Sequence, residues 1–299
     1  MNETIQKLQK GDKRVLARCI SMVENETFGY DEFLQQLSFD KFVPITGITG
    51  PPGAGKSTLI NSIVKSFTDQ QKKIAIIAID PSSPFNQGAI MGDRLRMSEH
   101  FLHPNVFIRS MASRGSLGGL APKIFEVCDV FRAANFDHII IETVGVGQSE
   151  VEIAALADTT VLVLVPEAGD EIQTMKSGVM EIADVYVVNK SDREGADIFY
   201  KNLFMLAHSN IRDGWEAPVI KTVATKNEGV EELILAINKH IEILHSNDQK
   251  IHLLAEKAMM MIRNLRTKDL SINQIENDLK ELITKTDFNI YRYIKKYNS

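Results

Sequence analysis

Residues Gly50-Pro51-Pro52-Gly53-Ala54-Gly55-Lys56-Ser57-Thr58 place glycines, a lysine and two hydroxyls at the spacing of a loop that cradles phosphate. Glycines let the backbone curl until its N–H groups converge on an anion at a helix N-terminus. Lys56 can reach the β- and γ-phosphates of a nucleotide, and the Ser57 hydroxyl can ligate Mg²⁺. The pattern carries weight only between a strand and a helix. Val43, Ile45 and Ile48 supply a short β-branched run before it, and Leu59, Ile60, Ile63, Val64 and Phe67 recur at helical spacing after it. A glycine-rich turn with an accidental Lys-Ser would need neither. Gly50, Gly53, Ala54, Gly55, Lys56, Ser57 and Thr58 are the expected phosphate-binding set.

Three acids stand where such a loop needs them. Asp80 closes the apolar run 74–79 and can orient water on Mg²⁺ or act on the attacking water. Asp93 lies in Gly88-Ala89-Ile90-Met91-Gly92-Asp93-Arg94, a glycine-flanked stretch that can bring a second acid to the metal once a γ-phosphate is bound. An ordinary surface loop is the alternative there. Glu142 ends the run 139–141 and suits a ligand of metal-bound water, while the Gly145 N–H suits a terminal phosphate oxygen. Gln148 either orients the hydrolytic water or caps the next helix. Ser57, Asp80, Asp93 and Glu142 are thus the expected metal set. Lys56, Asp80, Asp93 and Glu142 are the expected catalytic set, acting by electrostatic positioning.

The base is decided by Asn189-Lys190-Ser191-Asp192, after the apolar run 185–188. Guanine offers N1–H and an exocyclic amine side by side, a donor pair that the Asp192 carboxylate can accept bidentately. Adenine would face the same carboxylate with a lone pair. Asn189 is expected on the purine's other edge, and the Lys190 stem along the loop. Val223-Ala224-Thr225 can supply a backbone N–H to the guanine oxygen. The other candidates are weaker. None of the seven histidines, His100 and His103 included, joins a Cys-x-x-Cys or His-rich tract. Trp215, beside Asp213-Gly214, reads as a turn anchor.

Such residues need a frame, and the rest of the chain supplies one. Strand-like runs alternate with helical ones from residue 43 to 244, which is the pattern of an α/β fold: a P-loop NTPase with a doubly wound, mostly parallel sheet. Residues 1–40 form an N-terminal helical extension expected to pack on that domain, with Asp12 as an N-cap and Val15, Leu16, Cys19, Ile20 and Val23 as its apolar stripe. Residues 41–245 form the nucleotide domain. Residues 246–299 are helix only, with successive apolar stripes that either pack on their own domain or bury against a second subunit. At 44% hydrophobic and 24% charged residues the composition is that of a soluble globular protein. A net charge of -5 argues against nucleic acid or an anionic membrane surface as the partner. No run approaches the roughly 20 apolar residues that span a bilayer. Cys19 and Cys128 lie in apolar surroundings far apart in sequence, and the N-terminus is polar, so a reducing compartment, the cytoplasm, is expected.

Several motifs taken together resemble one family, the MeaB/ArgK GTPases that act as chaperones of methylmalonyl-CoA mutase. The resemblance runs over most of residues 11–245. It rests on Gly11-Asp12-Lys13-Arg14-Val15-Leu16-Ala17-Arg18, the phosphate loop, Asp80-Pro81-Ser82-Ser83-Pro84, Gly92-Asp93-Arg94, Glu142-Thr143-Val144-Gly145-Val146-Gly147-Gln148-Ser149-Glu150 and Pro166-Glu167-Ala168-Gly169-Asp170-Glu171-Ile172-Gln173. The chain departs from the usual pattern at Gln87-Gly88-Ala89 and at Pro122-Lys123. The resemblance implies a GTPase with GTP/GDP and Mg²⁺ as cofactors, of the class that includes the nickel-insertion GTPases and often dimeric through a C-terminal arm. It also implies gating of adenosylcobalamin loading onto the mutase and protection from inactivation, with a switch loop at Asp170, Gln173 and Lys176 that couples nucleotide state to the mutase. Three other readings compete: an ATP-dependent kinase linked to amino-acid transport, a metallochaperone GTPase carrying nickel, and a nucleotide-locked scaffold.

Overall fold

Buried runs of Ile and Val become the central sheet of the computed structural model. It describes residues 2–80, 97–112, 120, 121, 123–143, 149–168, 177–208, 211, 212 and 214–245, and in the tail 255, 258, 259, 261–263, 266, 267, 270, 272–283, 293, 294 and 297. The strands are β1 (Ile45–Thr49), β2 (Ile74–Asp80), β3 (Val106–Ala112), β4 (His138–Glu142), β5 (Thr159–Leu164), β6 (Val185–Asn189), the short pair β7 (Ile211–Arg212) and β8 (Trp215–Glu216), and β9 (Val219–Thr222). Seven of them form one sheet in the order β3-β2-β4-β1-β5-β6-β9. Every neighbouring pair in it is parallel. Among the described strands β7 and β8 pair antiparallel as a separate two-stranded sheet, with the Trp215 indole N–H donating to Asp184 O.

From β1 the chain moves outward to β2 and β3. It then returns to fill the gap at β4 and crosses to β5 on the other side of β1. This reversal opens a crevice beyond the carboxyl ends of β1, β4 and β5, where doubly wound sheets bind their ligands. Both faces are covered, so the strands read as continuous apolar runs rather than alternating ones. In β5, Val161 and Val163 enter the core under α4 (Lys56–Asp69) and the last helix of the domain, Val230–His245, whereas Leu162 and Leu164 enter the opposite core with Phe199 and Leu203.

Residues 1–249 form one compact unit and 250–299 a second. The first includes α1 (Asn2–Gln9), α2 (Lys13–Glu24) and α3 (Tyr30–Gln35), so the N-terminal extension is built into it. The Asp12 carboxylate accepts from the Arg14 and Val15 N–H groups and caps α2. Two polar clamps then hold the end of α2 and the turn after it. Glu24 pairs with Arg109 on β3. Glu26 pairs with Lys123 Nζ at 2.8 Å, at the start of α5 (Ile124–Ala133), and the same ammonium sits 5.1 Å from the centre of the Tyr30 ring. The remaining helices of this unit are α6 (Ser149–Leu156), α7 (Ser177–Glu181), α8 (Ala196–His208) and α9 (Val230–His245). In the second unit α10 (Ile272–Ile283) carries Asp278, whose carboxylate accepts from the Tyr293 hydroxyl, while Met259, Ile262 and Ile294 are exposed.

Among the buried titratable groups at the amino end of the sheet is His138. His138 is 4% exposed, its Nε2 lies 2.8 Å from Thr46 Oγ1, and its ring packs on Phe67. Burial, helped by the Lys72 charge, pushes its pKa down to about 3. The fold therefore holds a neutral ring, and its contribution is fully present above the unfolded pKa of about 6.5 and is lost progressively as pH falls toward 3. Urea unfolding at pH 7.5 and 5.5 should show a loss of about 1.4 kcal/mol that the His138→Gln variant lacks. Equal pH dependence in the two proteins would contradict the assignment.

Candidate nucleotide site

The chain leaves β1 at Thr49, curls through residues 50–55 and enters α4 at Lys56. Two glycines are required by close approach as well as by conformation. A Cβ on Gly50, whose φ is 138°, would lie 2.1 Å from the Val163 carbonyl oxygen. One on Gly55, whose φ is 87°, would lie 2.5 Å from Asn189 Nδ2. Lys56 is buried and folds back over its own loop, donating to Gly50 O at 2.7 Å and Pro51 O at 3.1 Å. Ala54 is fully buried behind the loop and contributes its backbone, while Thr58 is exposed at the mouth.

Glu142 ends β4, which lies beside β1, with Ile48 and Glu142 in register. That adjacency brings its carboxylate against the first turn of α4, where Ser57 Oγ donates to Glu142 Oε1 at 2.7 Å. Thr143 strengthens the junction: its N–H donates to Ile48 O and its hydroxyl to Thr49 Oγ1 at 2.9 Å. A cavity of about 420 Å³ opens over these groups, lined by Gly53, Lys56, Ser57, Thr58, Glu142 and Lys190 among others. Ala78 and Ile79 of β2 also reach it, so the end of that strand borders the same space.

The guanine motif sits at the end of β6, and its first two residues turn toward the phosphate loop. Asn189 is 2% exposed. Its Nδ2 donates to Ala54 O at 2.8 Å, and its Oδ1 accepts from Thr222 Oγ1 at 3.0 Å and Ala224 N at 3.3 Å. These bonds brace three loops against one another. Lys190, at φ 55°, donates from Nζ to Gly53 O at 2.7 Å. Asp192 stays half-exposed, with Oδ2 3.3 Å from Lys226 Nζ. In the segment 223–225, the Val223 N–H donates to Glu228 O and the Ala224 N–H is engaged by Asn189. Ser62 Oγ on α4 donates to Ala224 O, tying this segment to the phosphate-loop helix.

Lys56, Ser57 and Glu142 therefore converge, and Asn189 and Lys190 join them through the loop backbone. Asp93, Gly145, Gln148, Asp170, Gln173 and Lys176 lie outside the described residues, as does the side chain of Asp80. Thr49, Thr143, Thr222, Ser62 and Lys226 take part without having been marked by sequence reasoning. Thr49, Thr143, Thr222 and Lys226 each adjoin a motif that could have flagged them, and Ser62 does not. Among the described residues no group of three or more His, Cys, Asp or Glu side chains could hold a metal ion by itself.

Comparison with known proteins gives this geometry a family. The family described as "Methylmalonyl Co-A mutase-associated GTPase MeaB" matches residues 16–278. GTPase ArgK of Escherichia coli is 32% identical, over 97% of this chain and 88% of its own length. The methylmalonic aciduria type A homolog of mouse mitochondria is 35% identical, over 76% of this chain and 59% of its own. Among solved structures, an LAO/AO transport system kinase superposes with a TM-score of 0.71 at 26% identity, covering 99% of this chain and 89% of that one. HypB from Helicobacter pylori, in complex with nickel, shares the fold at 17% identity and a TM-score of 0.50, over 75% of this chain and 95% of its own. The kinase and GTPase names thus attach to relatives of one lineage, and this chain belongs to the MeaB family of methylmalonyl-CoA mutase-associated GTPases.

Proposed function

We propose that this GTPase works with Mg²⁺ as a chaperone of an adenosylcobalamin-dependent acyl-CoA mutase, methylmalonyl-CoA mutase, gating the loading of its cofactor and protecting the loaded enzyme. The observation that carries the nucleotide chemistry is the buried 2.7 Å contact between Ser57 Oγ and Glu142 Oε1 beside Lys56. Both are hard oxygen donors, and Mg²⁺ is commonly held by one or two such protein groups together with phosphate oxygens and water. Held by Ser57 and Glu142, Mg²⁺ would supply positive charge to offset the negative charge that develops on the phosphates. Lys56 trades its two carbonyl acceptors for β- and γ-phosphate oxygens. Asn189 and Lys190 hold the loop carbonyls of Ala54 and Gly53, which keeps the opposing N–H groups aimed at the phosphates. Asp192 takes the guanine donor pair, and Asp80, Asp93 and Gly145 complete the metal and γ-phosphate contacts. The link to the mutase rests on the family's name and on the mouse relative. The loop at Asp170, Gln173 and Lys176 would touch the partner, residues 246–299 would pair two copies, and the cytoplasm is the setting.

Asp192→Asn should weaken GTP binding by about tenfold or more while leaving ATP binding unchanged, since the lost bonds are charge-assisted. Unaltered affinity for both nucleotides, read by fluorescence titration, would refute the base assignment. Ser57→Ala should lower Mg²⁺-dependent turnover by roughly a hundredfold and leave GDP affinity in chelator near that of the parent. Basal turnover of the parent should already be slow, and a value near about 10 s⁻¹ without a partner would argue that the site needs no completion. Capture of methylmalonyl-CoA mutase should differ between GDP and a non-hydrolysable GTP analogue, and Gln173→Ala with Lys176→Ala should erase that difference. Identical, mutase-free capture in both states sinks the chaperone reading, and a monomer by light scattering on the same samples sinks the pairing.

A further inference from the structure

The Asp192 carboxylate does not stand alone at its end of the site. Its Oδ2 lies 3.3 Å from Lys226 Nζ, and both side chains are about half exposed. Among the described residues no other group bonds to this carboxylate. Lys226 is brought there by a loop with little freedom. Val223 and Glu228 exchange backbone bonds in both directions across it, and the Lys226 N–H donates to Val223 O at 2.8 Å. Asn227 turns the chain at φ 58°. A Cβ on Gly229, at φ 73°, would lie 2.0 Å from Lys221 O, so the loop closes directly on β9. Ala224 is held from two sides, by Asn189 and by Ser62. The other cations of this corner are engaged elsewhere: Lys190 on Gly53 O, Arg193 on Glu167, and Lys221 on Asp197 at 2.5 Å. Lys226 reaches a carboxylate 34 residues away in the chain rather than the nearby Glu228.

A carboxylate has about four lone-pair positions on its two oxygens. A guanine donor pair takes two of them, so the Lys226 bond on Oδ2 need not be surrendered when the base arrives. An unheld carboxylate turns about its own axis and meets a planar donor pair in few of its orientations. We infer that Lys226 is a positioning residue for guanine, its ammonium fixing the orientation in which Asp192 meets the base. The inference rests on the proposed reading of guanine by Asp192. It adds a residue outside Asn189-Lys190-Ser191-Asp192 that sets affinity for the base. Lys226 acts here through Asp192, so its effect vanishes when that carboxylate is removed. A general attraction of the ammonium for phosphates would survive that change.

The test is a double-mutant cycle on the full chain at low salt, with GDP affinity read by fluorescence titration and pyrophosphate affinity by calorimetry. Lys226→Met should weaken GDP binding about threefold, within the range of an exposed ion pair. Pyrophosphate affinity and the melting temperature of the nucleotide-free chain should be retained. Lys226→Arg should keep the parent's GDP affinity, and the effect of Lys226→Met should shrink in about 0.5 M salt, which screens exposed charges. In the Asp192→Asn background, Lys226→Met should cost nothing measurable further. Unchanged or tighter GDP binding in Lys226→Met, an equal loss for pyrophosphate, or an equal loss in the Asp192→Asn background would each overturn the inference. Unaltered GDP affinity in Asp192→Asn overturns the base reading and this inference with it. A loss in Asp192→Asn without one in Lys226→Met overturns this inference alone.

Discussion

The site depends first on a close approach between the phosphate loop and the end of β5. The backbone at Gly50 passes Val163 so tightly that the first carbon of any side chain would meet the Val163 carbonyl oxygen at 2.1 Å. Five residues later Gly55 faces the Asn189 amide with as little room. The loop is thus threaded between the carboxyl ends of β5 and β6, with strand backbone as its wall. A loop held at both ends in this way can meet an anion with less reorganisation, which is what makes a preorganised electrostatic site effective. Even a methyl group at residue 50 would have to displace the loop or the sheet.

That confinement also joins base recognition to phosphate recognition. The motif proposed to read guanine supplies the side chains that hold the loop, Asn189 on Ala54 O and Lys190 on Gly53 O. Asn189 further grips Thr222 and the Ala224 amide, so one buried amide connects the ends of β6 and β9 with the loop after β1. Hydrogen bonds of this kind contribute about 0.5–1.5 kcal/mol each, and more where one partner is charged. Their larger effect is geometric. Two short bonds, rather than the sheet, join the loop after β6 directly to the loop after β1.

Much of the site was legible because its signals are local. Gly50 to Thr58 spells its own turn and helix start, Glu142 stands at the end of a visible strand, and Asp12 announces its helix by the amides that follow it. What escaped is what depends on strand order. Asn189 and Ala54 are 135 residues apart in the chain, and Thr143 and Thr49 are 94 apart. Nothing in either residue's neighbours reveals that β4 inserts beside β1 or that β6 ends over the loop. The brace formed by Asn189 was invisible for that reason. The clamps of Glu24 on Arg109 and Glu26 on Lys123 escaped likewise, since charge pairs between distant elements leave no periodicity behind.

Those clamps bear on how the protein can move. Ala112, the last residue of β3, is in register with Asp80, the last of β2, and Ala78 of β2 is in register with Glu142. The ends of three strands that carry or border acids are therefore fixed side by side. The N-terminal helices fasten this edge through Glu24 and Arg109, and through Glu26, whose partner Lys123 is held at φ 69° where α5 begins. A left-handed backbone at a lysine costs on the order of 1 kcal/mol, and the ion pair and the Tyr30 ring offset it. On the other side of β1 the ends of β5 and β6 are fixed by the phosphate loop itself. With both halves of the sheet tied, a change of nucleotide cannot be absorbed by sliding strands.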